Sequence, residues 1–277
     1  MEKSETKGAD RKGFIFTVNC GTILSIRGEA RITRGGKTAM HRFFATGIEA
    51  GRAELKPEEE DHALRVLRMG VGDVCQALVE GSVYSAVIEE THPRVILRLG
   101  SAQPSPEPGV SVTLYQGVPK GEKMDYIVQK CTEAGVVRIV PVAFSRCVAK
   151  WDGKDAVKKQ ARYQRIAAEA AKQSGRALVP DIGLPLNLDR LCAELSQYDL
   201  ALAPWEEARG MGIRAKWRGE KRVALVIGPE GGIAPEEMAQ MQASGALAVT
   251  LGPRIFRTET AGLAALVSLL TLSGDME

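Results

Sequence analysis

Val223-Ala-Leu-Val-Ile-Gly-Pro-Glu-Gly-Gly232 and Val249-Thr-Leu-Gly-Pro-Arg-Ile-Phe-Arg-Thr-Glu-Thr-Ala261 decide how this chain is read. Each opens as a short apolar run rich in β-branched residues, ends in a Gly-Pro turn and leads into a helix-like segment. Glycine at 228, 231 and 232 lets the main chain turn through positive φ and approach a flat ligand, whose edges peptide N–H and C=O groups can then read. Pro235 suits the first position of a following helix, and Glu236 and Glu237 suit its positive end. One such turn is equally well explained as a structural strand-to-helix connection. Its repetition, with Arg254, Arg257, Thr258 and Glu259 crowded into the second loop, points to a ligand site above a sheet.

Working outward, strands and helices alternate from residue 111 on: strands at 111–116, 136–144, 200–203, 223–227 and 248–251, helices at about 123–134 and 259–273, and a basic helix between 146 and 176. That pattern predicts an α/β domain with a mostly parallel sheet. Its first strand leads to Gly117-Val-Pro-Lys-Gly121 and not to G-x-G-x-x-G, which argues against a conventional dinucleotide fold. Upstream, a helix near 58–67 and the alternating runs 73–79, 82–88 and 94–99 predict a small β-barrel. Three prolines in Ala102-Gln-Pro-Ser-Pro-Glu-Pro-Gly109 mark a linker. The domains expected are therefore 40–101, a linker at 102–110, and 111–277.

Among 277 residues no run reaches the length of a membrane span, and the polar start through Lys12 does not read as a secretory signal, so a cytoplasmic protein is expected. Five scattered cysteines (20, 75, 131, 147, 192) and three histidines form no metal-ligand spacing, so neither a metal site nor a disulfide framework is expected. The net charge of +3 is carried by the first 39 residues, which hold eight basic and four acidic side chains; residues 40–277 carry 29 against 30. Local charge is more informative. From Arg146 to Arg176 there are nine basic and three acidic residues, and Lys154, Lys158, Arg162, Arg165 and Lys172 share one helix face. Such a face is either simply solvated or tracks phosphates.

Six stretches, in order, carry a resemblance: His62-Ala-Leu-Arg-Val-Leu-Arg-Met-Gly-Val-Gly-Asp73, Lys120-Gly-Glu-Lys-Met-Asp125, Gln129-Lys-Cys-Thr-Glu-Ala-Gly135, Gln173-Ser-Gly-Arg176, Gly228-Pro-Glu-Gly-Gly232 and Leu251-Gly-Pro-Arg-Ile-Phe-Arg-Thr-Glu-Thr260. Over about residues 40–273 the chain resembles the bacterial 16S ribosomal RNA uracil-N3 methyltransferases of the trefoil-knotted SPOUT superfamily. The resemblance implies a PUA-like RNA-binding barrel, a knotted α/β domain, S-adenosylmethionine as cofactor, 16S rRNA of the small ribosomal subunit as partner, and a homodimer. On the cofactor it implies Leu202, Ile227, Gly228, Pro229, Glu230, Gly231, Gly232, Leu251, Gly252, Ile255, Phe256, Thr258, Thr260 and Ala261. On the RNA it implies Arg65, Arg68, Lys120, Lys123, Arg146, Lys158, Arg162, Arg165, Lys172 and Arg254.

Methylation at N3 requires a uridine exposed on its pairing edge and a cation for the charge that spreads onto O2 and O4. Arg257, Arg176 and Glu259 are the expected catalytic residues, with Glu259 or Glu230 orienting the base or taking its proton. Two readings stay open beside this one: a knotted methyltransferase acting on a ribose 2′-hydroxyl or transfer RNA, and a non-catalytic RNA-binding assembly factor. Two departures from the family pattern stand out. Ser145 replaces a frequent acid before Arg146, and Ala234 replaces a Ser or Thr cap, which predicts a frayed helix start. Met40-His-Arg-Phe-Phe44 resembles the family's usual start, so the first 39 residues are expected to reflect a misassigned start codon; the alternative is an N-terminal arm containing strands at 14–18 and 23–26.

Overall fold

The computed structural model describes residues 40–149, 151 and 153–277. The expectations for residues 1–39, Cys20 included, lie outside the described residues.

Strands β1 (Arg42–Glu49), β2 (Arg52–Leu55), β3 (Val74–Val79), β4 (Ser82–Glu90) and β5 (Ile96–Gln103) close a barrel in the order β1-β2-β5-β4-β3. The β1–β3 pairing is parallel and the others are antiparallel. Two tight turns set the hairpins. Ala50 and Gly51, and again Glu80 and Gly81, all have positive φ, the arrangement whose twist matches that of paired strands. Phe43, Leu55, Cys75, Ala77, Ile88 and Leu97 fill the interior, as a five-stranded barrel too small for a cavity requires. Between β2 and β3, helix α1 (Pro57–Asp61) runs on into a π-helical turn at His62–Val66. β5 continues through Gln103, so the linker prolines begin only at Pro104.

The second region comprises β6 (Ser111–Gly117), α2 (Lys123–Ala134), β7 (Arg138–Ala143), α3 (Gly153–Ser174), β8 (Asp181–Ile182), β9 (Leu186–Asn187), α4 (Leu188–Leu195), β10 (Leu200–Pro204), α5 (Ile213–Lys216), β11 (Arg222–Ile227), α6 (Pro235–Ala243), β12 (Ala246–Val249) and α7 (Thr258–Ser273). The sheet order is β12-β10-β11-β6-β7-β8, with β9 also on β7, and every pairing is parallel. Successive residues of β11 serve opposite cores. Val223, Leu225 and Ile227 pack with Met124, Leu266 and Leu270 of α2 and α7; Ala224 and Val226 pack with Leu191, Met238 and Met241 of α4 and α6. A strand covered on both faces has to be apolar throughout, which is why Val223–Ile227 reads as one run.

Sequence periodicity did not reveal α4, although Asn187 caps it by accepting the Arg190 N–H at 3.0 Å. The last strand sits two residues earlier than expected, at Ala246–Val249. Among the described residues no helix is long and apolar enough to cross a membrane, and no group of three metal-ligating side chains comes together.

Candidate cofactor and RNA site

Because β10 lies between β11 and β12, the segments that leave the carboxyl ends of all three strands converge. They enclose a crevice of about 860 Å³ at the place where open parallel sheets bind ligands. Ile227, Gly228, Pro229, Glu230, Gly231 and Gly232 form one wall. Leu251, Gly252, Ile255, Phe256, Thr258 and Ala261 form another, with Arg254 and Arg257. The third wall, Pro204-Trp205-Glu206-Glu207 and Arg209, was not visible in the sequence. Trp205 anchors it, its ring N–H reaching the Ile233 carbonyl at 3.2 Å and its backbone N–H the Val249 carbonyl at 3.0 Å. Leu202 and Thr260 do not line the crevice; Leu202 is wholly buried in the middle of β10.

The glycines serve two purposes. Gly232 (φ 72°) and Gly252 (φ 103°) take the left-handed turn. Gly228 and Gly231, expected to do the same, do not. They admit close neighbours instead: a Cβ on Gly228 would meet Ile233 Cγ1 at 2.8 Å, and one on Gly231 would meet Arg146 Cβ at 3.0 Å. Arg146 also donates to the Gly231 carbonyl at 3.1 Å, so it braces the first loop.

Ala234 gives the helix start no side-chain cap, but a carboxylate of the first turn reaches back to it. Glu237, at the third helical position, accepts the Ala234 N–H at 3.1 Å through one oxygen and the Ser145 N–H at 2.7 Å through the other. One carboxylate thereby ties the start of α6 to the turn after β7.

Glu230 accepts the Lys120 N–H at 3.0 Å and the Lys123 ammonium at 2.9 Å; the same ammonium lies 3.3 Å from Glu259. Lys123 was expected on RNA, and it instead ties the two glycine loops together. Burial works to raise the Glu230 pKa, but the Lys123 ammonium and the Lys120 N–H outweigh it and hold the carboxyl below the usual range. The hydrogen bond to Glu230 raises Lys123 in turn, aided by Glu259.

Arg176 is corrected outright. It lies away from the crevice, buried, with its guanidinium on Glu107 of the linker (Nε–Oε2 3.1 Å) and on the carbonyls of Thr132 (3.0 Å) and Val136 (2.6 Å). Buried and held by four hydrogen bonds, it does not face the crevice. The basic face of α3 divides similarly. Arg162 pairs with Asp125, and Lys172 reaches the buried Glu59 of α1 at 2.8 Å. Lys158 and Arg165 are exposed and form no ion pair among the described residues. Exposed Arg65 pairs with Asp61 one helical turn back, while exposed Arg68 sits at φ 55°. The side chains of Lys120, Arg254 and Arg257 are exposed, again without ion pairs among the described residues.

A family model described as an RNA methyltransferase domain matches residues 105–270. The ribosomal RNA small subunit methyltransferase E of Mycobacterium tuberculosis is 36% identical over 218 residues, covering 76% of this chain and 79% of the relative. The protein of the same name from Bacillus subtilis is 31% identical over 242 residues, 80% and 90% of the two chains. The crystal structure of the Neisseria gonorrhoeae enzyme of that name, bound to S-adenosyl methionine, superposes with a TM-score of 0.69 at 30% identity over 84% of this chain and 98% of that one. With a family match over more than half its length and relatives of which it covers 79% and 90%, this chain belongs to the RNA methyltransferase family, alongside the small-subunit ribosomal RNA methyltransferases E.

Proposed function

We propose that this protein transfers a methyl group from S-adenosylmethionine to N3 of a uridine near the 3′ end of small-subunit ribosomal RNA, working in the cytoplasm. One observation carries the reading: two glycine loops and the Trp205 loop enclose a single crevice lined by Arg254 and Arg257, which form no ion pair among the described residues. Its volume, about 860 Å³, suits a cofactor-sized molecule, and nothing lies within 4 Å of where a Cβ on Gly252 would stand, which leaves the backbone of the second loop open to one. When bound, S-adenosylmethionine supplies an electrophilic methyl group on a sulfonium.

The chain's own residues do the rest. The walls at 227–232 and 251–261 hold the donor, and Trp205 fixes the third side. The target base arrives unpaired or flipped, because its N3 lies on the pairing edge. Arg257, exposed and free of a carboxylate partner among the described residues, stabilises the negative charge that spreads onto the uracil oxygens as N3 gives up its proton. Glu230 is a poor general base, because its lowered pKa takes it away from the working pH. Glu259, on the first turn of α7, orients the base and accepts the N3 proton, which passes on to solvent. Lys120, Lys158, Arg165, Arg254, Arg65 and Arg68 supply exposed charge for phosphates. We also assign a homodimer, since α7 keeps Leu263, Ala264 and Val267 only half buried in one chain, and we include the knotted path expected of the superfamily.

The test is to incubate the protein with S-adenosylmethionine and small subunits that lack the modification, then to map modified nucleosides by mass spectrometry. One site of 3-methyluridine, lost with Arg257→Ala, is expected. A 2′-O-methylated nucleoside, or RNA binding without transfer, would contradict the reading.

A further inference from the structure

Where β6 ends, an apolar strand gives way to a buried polar side chain that none of the roles above uses. Gln116 is wholly buried, and its Nε2 donates to the Thr258 hydroxyl at 2.9 Å and to the Gly117 carbonyl at 3.2 Å. A carbonyl oxygen only accepts, so this contact fixes which end of the amide is nitrogen. Having accepted from Gln116, the Thr258 hydroxyl directs its own proton to the carbonyl of Gly228, 2.6 Å away. The peptide between residues 228 and 229 has no N–H, because residue 229 is proline, so that carbonyl is its one hydrogen-bonding handle. β6 also abuts the loop there: a Cβ on Gly117 would lie 2.4 Å from the Pro229 nitrogen.

Stability does not account for Gln116. Its Oε1 has no hydrogen-bond partner among the described residues, and burying an unpaired amide oxygen is unfavourable, whereas an apolar side chain of the same length would fill the space without that penalty. The geometry points to Gln116 as a positioning residue for the methyl-donor site: it sets the rotor of Thr258, and through it the plane of the Gly228–Pro229 peptide, where the two glycine loops meet. This inference rests on the proposed function, since it assumes that the crevice takes S-adenosylmethionine. It also places β6, which contributes no wall, in control of the two loops that do.

The experiment compares wild type, Gln116→Met, Thr258→Val and the double variant by calorimetric titration with S-adenosylmethionine and by thermal unfolding of the ligand-free protein. Each single change is expected to weaken cofactor binding roughly 3- to 10-fold, the worth of one net hydrogen bond. The double variant is expected to bind no more weakly than either single, because both cut the same chain of bonds. The unfolding midpoint of Gln116→Met stays level or rises, and KM for S-adenosylmethionine increases more than KM for RNA. Unchanged affinity with a lowered midpoint would reduce Gln116 to a packing role and overturn the proposal. So would losses that add fully in the double variant. Gln116→Leu carries the test should Gln116→Met not fold. A wild-type protein that binds no S-adenosylmethionine would instead sink the functional reading before any variant is made.

Discussion

Two regions of this molecule use the same residue types to opposite ends. Where the barrel meets the sheet region, Arg176 is enclosed by Glu107 and two carbonyls, Lys172 neutralises the buried Glu59, and Arg42 donates to the Gly175 carbonyl at 2.7 Å. At the crevice, Arg254 and Arg257 are exposed with no carboxylate beside them among the described residues. A buried cation bonded on several sides holds the fold, and one left open can meet a charge that arrives or develops later. The comparison teaches that the presence of a partner, and not the sequence motif, separates the two roles.

The sharpest way to break the comparison is to exchange expectations between the two arginines. Arg176→Met leaves the partly buried Glu107 beside an apolar side chain with only the Ala177 and Leu178 N–H groups to hold it, and breaking the pair is expected to cost about 3 kcal/mol, the low end for a buried pair. Denaturant unfolding would read this loss, while methyl transfer per folded molecule stays within a few-fold of wild type. Arg257→Ala is expected to do the reverse, lowering kcat by about 10²- to 10³-fold with unchanged unfolding, as for the loss of one charge-stabilising donor. A large kcat loss with Arg176→Met at full stability would show that the division has been drawn wrongly.

Smaller effects refine it. Lys158→Ala and Arg165→Ala should each reduce the salt dependence of RNA binding by about one phosphate contact, whereas Arg162→Ala, whose charge is paired with Asp125, should reduce it less. Filter binding at several salt concentrations would show the difference, and equal slopes for all three would erase the distinction made on α3. The smallest effect concerns acid stability. Glu230 has a lowered folded-state pKa, so its ionised form adds stability above the unfolded carboxyl pKa of about 4.3. That contribution disappears as pH falls through the folded value. Glu230→Gln should therefore narrow the gap in stability between pH 7 and pH 3 by no more than about 1 kcal/mol, because the pair is partly exposed.

What the sequence made legible follows from these contacts. The two glycine loops could be read because buried parallel strands must be continuously apolar, and Gly-Pro ends them visibly. The Trp205 loop could not be read: its glycines, Gly210 and Gly212, lie well past the strand end with no Gly-Pro turn to mark it, and it becomes a wall only because β10 inserts between β11 and β12. The roles of Arg176 and Lys172 were equally hidden. Glu107 lies 69 residues before Arg176, and Glu59 is on the other side of the barrel-to-sheet linker, so no local pattern pairs them. Gln116 escaped attention because a single amide inside an apolar strand looks like a tolerated polar residue until its bond to Thr258 is seen.

The central claim is that the three strand-end loops form the cofactor site, and a crystal structure of the protein with S-adenosylmethionine tests it most directly. The account predicts the cofactor between residues 227–232 and 251–261, with the Trp205 loop on its third side and Arg176 still closed onto Glu107. A cofactor bound elsewhere, or an Arg176 released to reach it, would contradict the account.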